Sequence, residues 1–191
     1  PKVPKSIAII GGGVIGVEFA SLFASFGTKV TIIEMMDSIL ATEDAETVKA
    51  LARELKAQGV NILTATQVTK ISEKGGQKSV DCTVQQNKQN INVSAEYVLV
   101  AVGRAPLTDG IDIEGLGIET RKGFIVTDDR MKTNIDDVYA IGDVTGRYQL
   151  AHSAYEQAEC AAKNCMGLDS TIDLTNMPRC IYSHPQLAAI G

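Results

Sequence analysis

The residues best able to do chemistry stand together near the start of the chain, in Gly11-Gly12-Gly13-Val14-Ile15-Gly16. Glycines at the first, third and sixth places strip side chains from a turn that follows an apolar run and opens a helical pattern. Gly11 permits a tight turn, Gly13 lets a bulky anion approach the main chain, and Gly16 lets helix and strand pack closely. Amide N–H groups and the positive end of a helix dipole then favour a pyrophosphate. Glu34 lies 23 positions after Gly11, at the end of a β-branched run, where a carboxylate can accept both hydroxyls of a ribose. Its charge repels a 2′-phosphate, and Met35 and Met36 offer no arginine to receive one, so the pattern favours NAD over NADP.

Three further groups invite a chemical reading. Glu18, expected in the first turn of the helix after Gly16, is either a partner of the helix dipole or a ligand of what the helix faces. Gly142-Asp143, after the apolar Val138-Tyr139-Ala140-Ile141, lets a backbone approach a ligand while the carboxylate accepts a hydroxyl; taken alone, it also reads as a strand-end turn. Cys160 and Cys165 have the spacing of a redox pair. On a helix, however, five residues turn the chain by about 500° and leave the thiols roughly 140° apart, so we expect reduced, partly buried thiols. None of the four cysteines forms a CxxC pair or joins a histidine set, and no metal site is expected.

The elements that must position these groups follow from hydrophobic periodicity. Residues 6–10 read as a strand, the pattern through Phe26 as a helix stopped by Gly27, and residues 29–34 as a second strand. Thr42 is expected to cap the next helix, with Glu43 and Asp44 in its first turn and Gly59 at its end; Ala45, Val48, Leu51, Ala52 and Leu55 form its inward stripe. An apolar run at 60–63, directly after a crossover helix, reads as a third parallel strand. Short strands at 68–71, 79–84 and 91–93, separated by polar turns, read as an antiparallel meander inserted at about 66–94, before a closing strand at 97–102. The expected fold class is α/β, a Rossmann-like parallel-sheet domain over 1–103 with the meander inserted. Beyond it come a Gly-, Asp- and Thr-rich segment with a brief strand at 138–141 and a helix over 151–166, then residues 167–191 without a clear element.

Composition narrows the partners. The 191 residues are 45% hydrophobic and 21% charged, enough to bury a core. A net charge of -5 without a basic run argues against nucleic acid or an anionic membrane surface as partner. No apolar stretch approaches the roughly 20 residues of a bilayer span, and the first residues lack a signal-peptide layout, so a cytoplasmic setting is the default expectation.

Together the motifs resemble the pyridine nucleotide disulfide oxidoreductases, flavoproteins with two dinucleotide sites. Gly11, Gly13, Gly16, Glu18 and Gly27 match the family's extended GxGxxGxE fingerprint. Val100-Ala101-Val102-Gly103-Arg104-Ala105-Pro106 is similar to its GRxP segment, and Gly142-Asp143 with Leu150-Ala151-His152 to its flavin-contacting segments. The resemblance implies NAD contacts at Gly11, Gly12, Gly13, Val14, Ile15, Gly16, Val17, Glu18, Glu34, Val68 and Gly103. It implies FAD contacts at Gly142, Asp143, Gln149, Leu150, Ala151 and His152, and hence a segment of the FAD-binding domain over 104–166. Residues 167–191 would be a linker and, at Ser183-His184-Pro185-Gln186, the start of a dimerisation domain.

Val14 to Glu18, Glu34 and the Leu-Ala-His triplet are most similar to members that oxidise dihydrolipoamide, carried on an acyltransferase complex, and pass hydride to NAD; a homodimer is implied. Other disulfide reductases or NADH oxidases of the superfamily, and a stand-alone NAD(H)-responsive binding module, remain alternatives. The family's redox disulfide and its acid/base histidine have no counterpart here, and neither His152 nor His184 has the matching context, so no catalytic residue is expected in this chain. The apolar ending at Leu187-Ala188-Ala189-Ile190-Gly191 reads as a boundary inside a longer enzyme, and we expect these residues alone to bind NAD but to be inactive and to self-associate.

Overall fold

The computed structural model describes residues 2–191, save the side chain of Lys74. The chain divides into two compact units. One runs to Gly103 and includes Arg179–Ala189; the other comprises Arg104–Pro178 with the last two residues.

The first unit is built on a four-stranded parallel sheet. Its strands are β1 (Ser6–Ile10), β2 (Lys29–Ile33), β3 (Asn61–Leu63) and β7 (Tyr97–Val100), in the order β3-β2-β1-β7. Two helices, α1 (Val14–Ser25) and α2 (Ala45–Ala57), make the crossovers from β1 to β2 and from β2 to β3. Between β3 and β7 the chain forms an antiparallel meander of β4 (Thr66–Lys74), β5 (Gln77–Val84) and β6 (Asn90–Ala95). Its first hairpin pairs Lys74 with Gln77, and both intervening glycines have positive φ, 60° at Gly75 and 78° at Gly76, as the tightest hairpin turn demands.

Both sheet faces are covered, which explains why β1 and β2 read as nearly continuous apolar runs. Along β1, Ile7 and Ile9 turn to a core shared with Val17 and Ala20 of α1 and Val48, Leu51 and Leu55 of α2. Ala8 and Ile10 turn to a second core with Val80, Cys82 and Ala95 of the meander. Burial in that second core pushes the Cys82 thiol above its ordinary value of 9.0, with a smaller contribution from the Asp81 charge. Period-two alternation therefore sorts one strand between a helical layer and a β-layer.

Several boundaries differ from expectation. Thr42 does not cap α2, because the Glu43 amide donates to the Leu40 carbonyl (2.9 Å) and holds residues 40–43 in a turn; the helix starts later, with Asp44 as N-cap accepting from the Thr47 amide at 2.9 Å. Ala45 is consequently exposed, while Val48, Leu51 and Leu55 face inward. Glu43 lies outside the helix and pairs with Arg179, Oε1 to Nε at 3.2 Å. Residues 167–191 do contain structure: β10 (Arg179–Ile181) and β11 (Leu187–Ala189) form an antiparallel hairpin. Ile181 and Leu187 of this hairpin are buried in the helix-side core of the first unit. Neither strand is long enough to carry a periodic signal, and the contacts that fix them lie more than a hundred residues away.

In the second unit, β8 (Thr120–Arg121) pairs with β9 (Phe124–Ile125), and α3 (Ala151–Cys165) packs Cys160 and Ala161 on Met131. Among the described residues, the strand expected at 138–141 forms a single isolated bridge, between Tyr139 and Lys132. All four cysteines are free; Cys82 and Cys160 are buried, Cys165 and Cys180 exposed. Among the described residues no helix is long and apolar enough to cross a membrane, and no cluster of three or more His, Cys, Asp or Glu could hold a metal ion.

Candidate dinucleotide site

The carboxyl ends of β1, β2 and β7 meet where the strand order reverses, the place where open α/β sheets leave a crevice. Gly11 to Gly13 follow β1, Glu34 follows β2, and Ala101 to Gly103 follow β7. The sheet alone thus gathers Gly11 to Gly13, Glu34 and Gly103, and α1, which follows directly, carries Val14 to Glu18.

The glycines do not all serve one purpose. A Cβ on Gly11 would lie 2.3 Å from the Ala101 carbonyl oxygen, and its φ is +105°; a Cβ on Gly16 would lie 1.9 Å from the Gly11 oxygen. Those two glycines let strand, turn and helix touch. Gly12 is similarly confined, since a Cβ there would come within 2.8 Å of Ile39 Cγ2 and 3.2 Å of Glu34 Oε2. Gly13 differs: its φ of −73° suits any residue, and a Cβ would meet nothing within 4 Å. Neither conformation nor packing within the protein asks for glycine there, so the missing side chain leaves open space at the N-terminus of α1. That terminus has no side-chain cap and no acidic residue in its first turn, leaving its dipole for an external anion.

Glu34 borders the same space. Its Oε2 accepts from the Gly12 amide at 2.6 Å and its Oε1 from the Met36 amide at 2.7 Å. Each oxygen takes one main-chain donor and keeps capacity for another, so the carboxylate can be anchored and still accept two hydroxyls. The main chain at Glu34 is tied as well, N to Leu63 O at 2.8 Å and O to Thr66 N at 2.9 Å.

The helix start at Val14 makes Glu18 the fifth residue of α1, in its second turn and not its first. Half-buried, it accepts from the Tyr182 amide at 2.8 Å. Val14 and Ile15 are exposed at the helix start, whereas Val17 points into the core. Val68 packs in the meander-side core, beside the bulge where β4 shifts register against β5 between Val68 and Lys70. Its side chain has a packing role there.

In the second unit, Gly142 opens a 3-10 turn, Gly142–Thr145, with φ of 75°. Its amide is taken by Gln157 Oε1 at 2.7 Å, and Gln157 Nε2 donates to Ser153 Oγ at 2.9 Å, both side chains fully buried. Asp143 is exposed enough to meet a ligand and faces Arg104, Oδ2 to Nε at 3.6 Å. Gln149 and Leu150 lead into α3, whose first residues are Ala151 and His152; Leu150 provides no side-chain cap, and His152 Nε2 lies 2.8 Å from the Pro178 carbonyl. The Gln157 anchor is not legible in the sequence, where a glutamine on a helix carries no signal of burial.

Layering, strand order and the glycine-lined turn define the first unit as a Rossmann-like α/β module. The chain belongs to the pyridine nucleotide-disulphide oxidoreductase family, whose model matches residues 1–158. A dihydrolipoyl dehydrogenase of Chlamydia pneumoniae is 41% identical over 190 residues, covering 99% of this chain and 40% of that protein. One of Bacillus subtilis (strain 168) is 36% identical over 190 residues, covering 100% of this chain and 41% of that protein. Among solved structures, the HOCl-induced flavoprotein disulfide reductase RclA from Escherichia coli matches with a TM-score of 0.88 and 34% identity, over 100% of this chain and 43% of that one. The chain therefore spans about 40% of the length of the curated relatives it matches.

Proposed function

We propose that this chain is the NAD-binding part of a flavin-dependent dihydrolipoamide dehydrogenase, and that the turn Gly11 to Gly16 with Glu34 forms its NAD site. The observation that carries the reading is Gly13, where neither conformation nor packing within the protein asks for glycine, beside a Glu34 carboxylate anchored by two main-chain amides. The names of the two curated relatives support the substrate class.

In this reading the N-terminal amides of α1 hold the pyrophosphate and Glu34 orients the adenine ribose and disfavours a 2′-phosphate. Val14, Ile15, Val17, Glu18, Val68 and Gly103 complete the NAD contacts, with Glu18 at the nicotinamide end. NAD, when bound, supplies the hydride acceptor. The protein's own task is to fix that acceptor against a flavin and keep water away. Asp143, Gly142 and the residues Gln149 to His152 fit a flavin-contacting role: Asp143 offers an exposed carboxylate and α3 an uncapped N-terminus. Residues 1–103 form the NAD-binding domain, 104–166 the flavin-domain segment, and 167–191 lead towards a dimerisation domain, with the hairpin Arg179–Ala189 contributing to the first unit. The working form is a cytoplasmic homodimer whose electron donor is dihydrolipoamide on an acyltransferase complex. These 191 residues contribute no catalytic residue of their own, and alone they bind NAD(H) without turnover.

A second reading, another disulfide reductase of the superfamily, is favoured by the match to the E. coli protein, whose name gives no lipoamide substrate. Assaying the native polypeptide that carries this sequence separates them. We expect it to be flavin-coloured and to reduce NAD with dihydrolipoamide. A coloured protein inert to dihydrolipoamide would favour the second reading, and a colourless one would favour an NAD(H)-responsive binding module.

A further inference from the structure

The loop from Met35 to Glu43 closes on the glycine turn through one residue, Gly12. Leu40 lies in the left-handed region, with φ of 48°, a conformation that crowds any residue with a Cβ and persists only where surrounding contacts enforce it. Its amide there donates to the Gly12 carbonyl at 2.8 Å. The Gly12 amide in turn donates to Glu34 Oε2 at 2.6 Å, and Ile39 Cγ2 leaves no room for a Cβ on Gly12. Gly12 is thus held at its N–H, its C=O and its Cα. A trans peptide points its C=O and the following N–H in opposite directions. Tying the Gly12 oxygen to the loop therefore turns the Gly13 N–H away from the loop, at the helix N-cap whose missing side chain leaves open space.

The loop has its own anchors. Ile39 and Leu40 are buried in the helix-side core, and the Glu43 amide donates to the Leu40 carbonyl at 2.9 Å. The Glu43 side chain is only 4% exposed and is gripped at two points by Arg179, Nε to Oε1 at 3.2 Å and Nη2 to Oε2 at 3.4 Å. A carboxylate so enclosed depends on its cation. The place of Glu43 is therefore set by a residue 136 positions later, on the hairpin Arg179–Ala189.

We propose that the Glu43–Arg179 pair is a remote lock on the dinucleotide turn: by fixing Glu43 it keeps Leu40 in its left-handed turn, and so holds the Gly12–Gly13 peptide in the orientation that offers the Gly13 N–H to a pyrophosphate. The inference rests on the NAD reading of the Gly11 to Gly16 turn. Arg179 and Glu43 are positioning residues, and neither needs to touch the ligand. With one partner removed, the other charge moves towards water and draws the end of the loop with it. Leu40 then relaxes to negative φ, and the Gly12–Gly13 peptide rotates among several orientations. A ligand that binds only one of them meets a reduced competent fraction, and its apparent affinity falls by that fraction.

The test uses the 191-residue chain, well below its melting temperature, with NAD and adenosine as probes; adenosine carries a ribose but no phosphate. NMR follows both titrations and the hydrogen exchange of the Leu40 amide. Arg179→Met removes the cation, Glu43→Gln removes the anion, and Glu43→Arg combined with Arg179→Glu restores the pair in reverse. Each single variant is expected to bind NAD about five- to tenfold more weakly and to exchange the Leu40 amide faster, with adenosine affinity unchanged. The reversed pair should recover at least part of both losses. Should Arg179→Met fail to fold, Arg179→Lys, which keeps the charge but loses the two-point grip, decides in its place. A purely structural ion pair would lower the melting temperature of the variants and leave NAD affinity of the folded chain unchanged, and that result in Glu43→Gln and Arg179→Lys would overturn the lock alone. Equal weakening of NAD and adenosine would mark general damage and overturn it too. Failure of the unsubstituted chain to bind NAD would overturn the site assignment and this inference with it.

Discussion

Two alanines placed three residues apart should behave in opposite ways. At Gly13, φ of −73° and ψ of −173° are open to alanine, and the added Cβ has no neighbour within 4 Å. Replacing a glycine N-cap by alanine costs up to roughly 1 kcal/mol, and the stiffer unfolded chain returns about 0.4–1 kcal/mol, so the net change in stability is close to zero. At Gly16 the Cβ would lie 1.9 Å from the Gly11 oxygen and 3.1 Å from its carbon, both backbone atoms that cannot rotate away. Such overpacking costs about 1–3 kcal/mol or more. For binding, the Gly13 methyl fills the open space and pushes the pyrophosphate off one charge-assisted hydrogen bond, worth about 1.5–3 kcal/mol, or roughly a 10- to 150-fold rise in Kd. Gly13→Ala should therefore melt within a few degrees of the unsubstituted chain yet bind NAD far more weakly, whereas Gly16→Ala should lose stability and binding together. The assays are thermal melting by circular dichroism and calorimetric NAD titration. Undiminished NAD binding in Gly13→Ala would refute the argument, as would a Gly13→Ala chain that unfolds as readily as Gly16→Ala.

Glu34→Ala should weaken NAD about tenfold or more while narrowing the preference over NADP, since it removes both the ribose acceptor and the charge that repels a 2′-phosphate; parallel titrations with both nucleotides check this. Ile32→Ala, at a fully buried position on β2, should cost about 2–5 kcal/mol in urea unfolding, because the helix-side core cannot close over the cavity. Asp44 has its carboxyl held below its ordinary value of 3.8, chiefly by the Thr47 amide. A depressed folded value means that the cap stabilises above pH 3.8 and is lost as pH falls through the folded value. Asp44→Asn, which keeps an acceptor without the proton, should flatten the decline of melting temperature in that acid window. Iodoacetamide under native conditions should label Cys165 and Cys180 quickly and spare buried Cys82 and Cys160, as mass spectrometry of the digests would show.

Legibility in the sequence tracked the range of the interactions. The turn at Gly11 to Gly16 and the carboxylate at Glu34 announce themselves because each is set by its own strand and helix, and the meander because Gly75 and Gly76 mark its first hairpin. The start of α2 differs from the sequence expectation because a backbone turn at Leu40, with φ of 48°, competes with a threonine cap that looks adequate in isolation. The hairpin near the end could not be read at all: β10 and β11 are three residues each, and their fixing bonds run to Glu18, Ser21, Glu43 and Gln58. Among the glycines, the sequence suggested a distinct role for each of Gly11, Gly13 and Gly16. Only the space around each one separates those the fold needs from the one it does not.

The most direct test of the central claim is a titration of the isotope-labelled chain with NAD, followed amide by amide by NMR. Saturable shifts are expected at Gly11 to Glu18, at Glu34 to Met36 and at Ala101 to Gly103, the segments that follow the three strands meeting at the crevice, with much smaller shifts from NADP. Shifts confined to the unit around α3, or none at millimolar NAD, would contradict it.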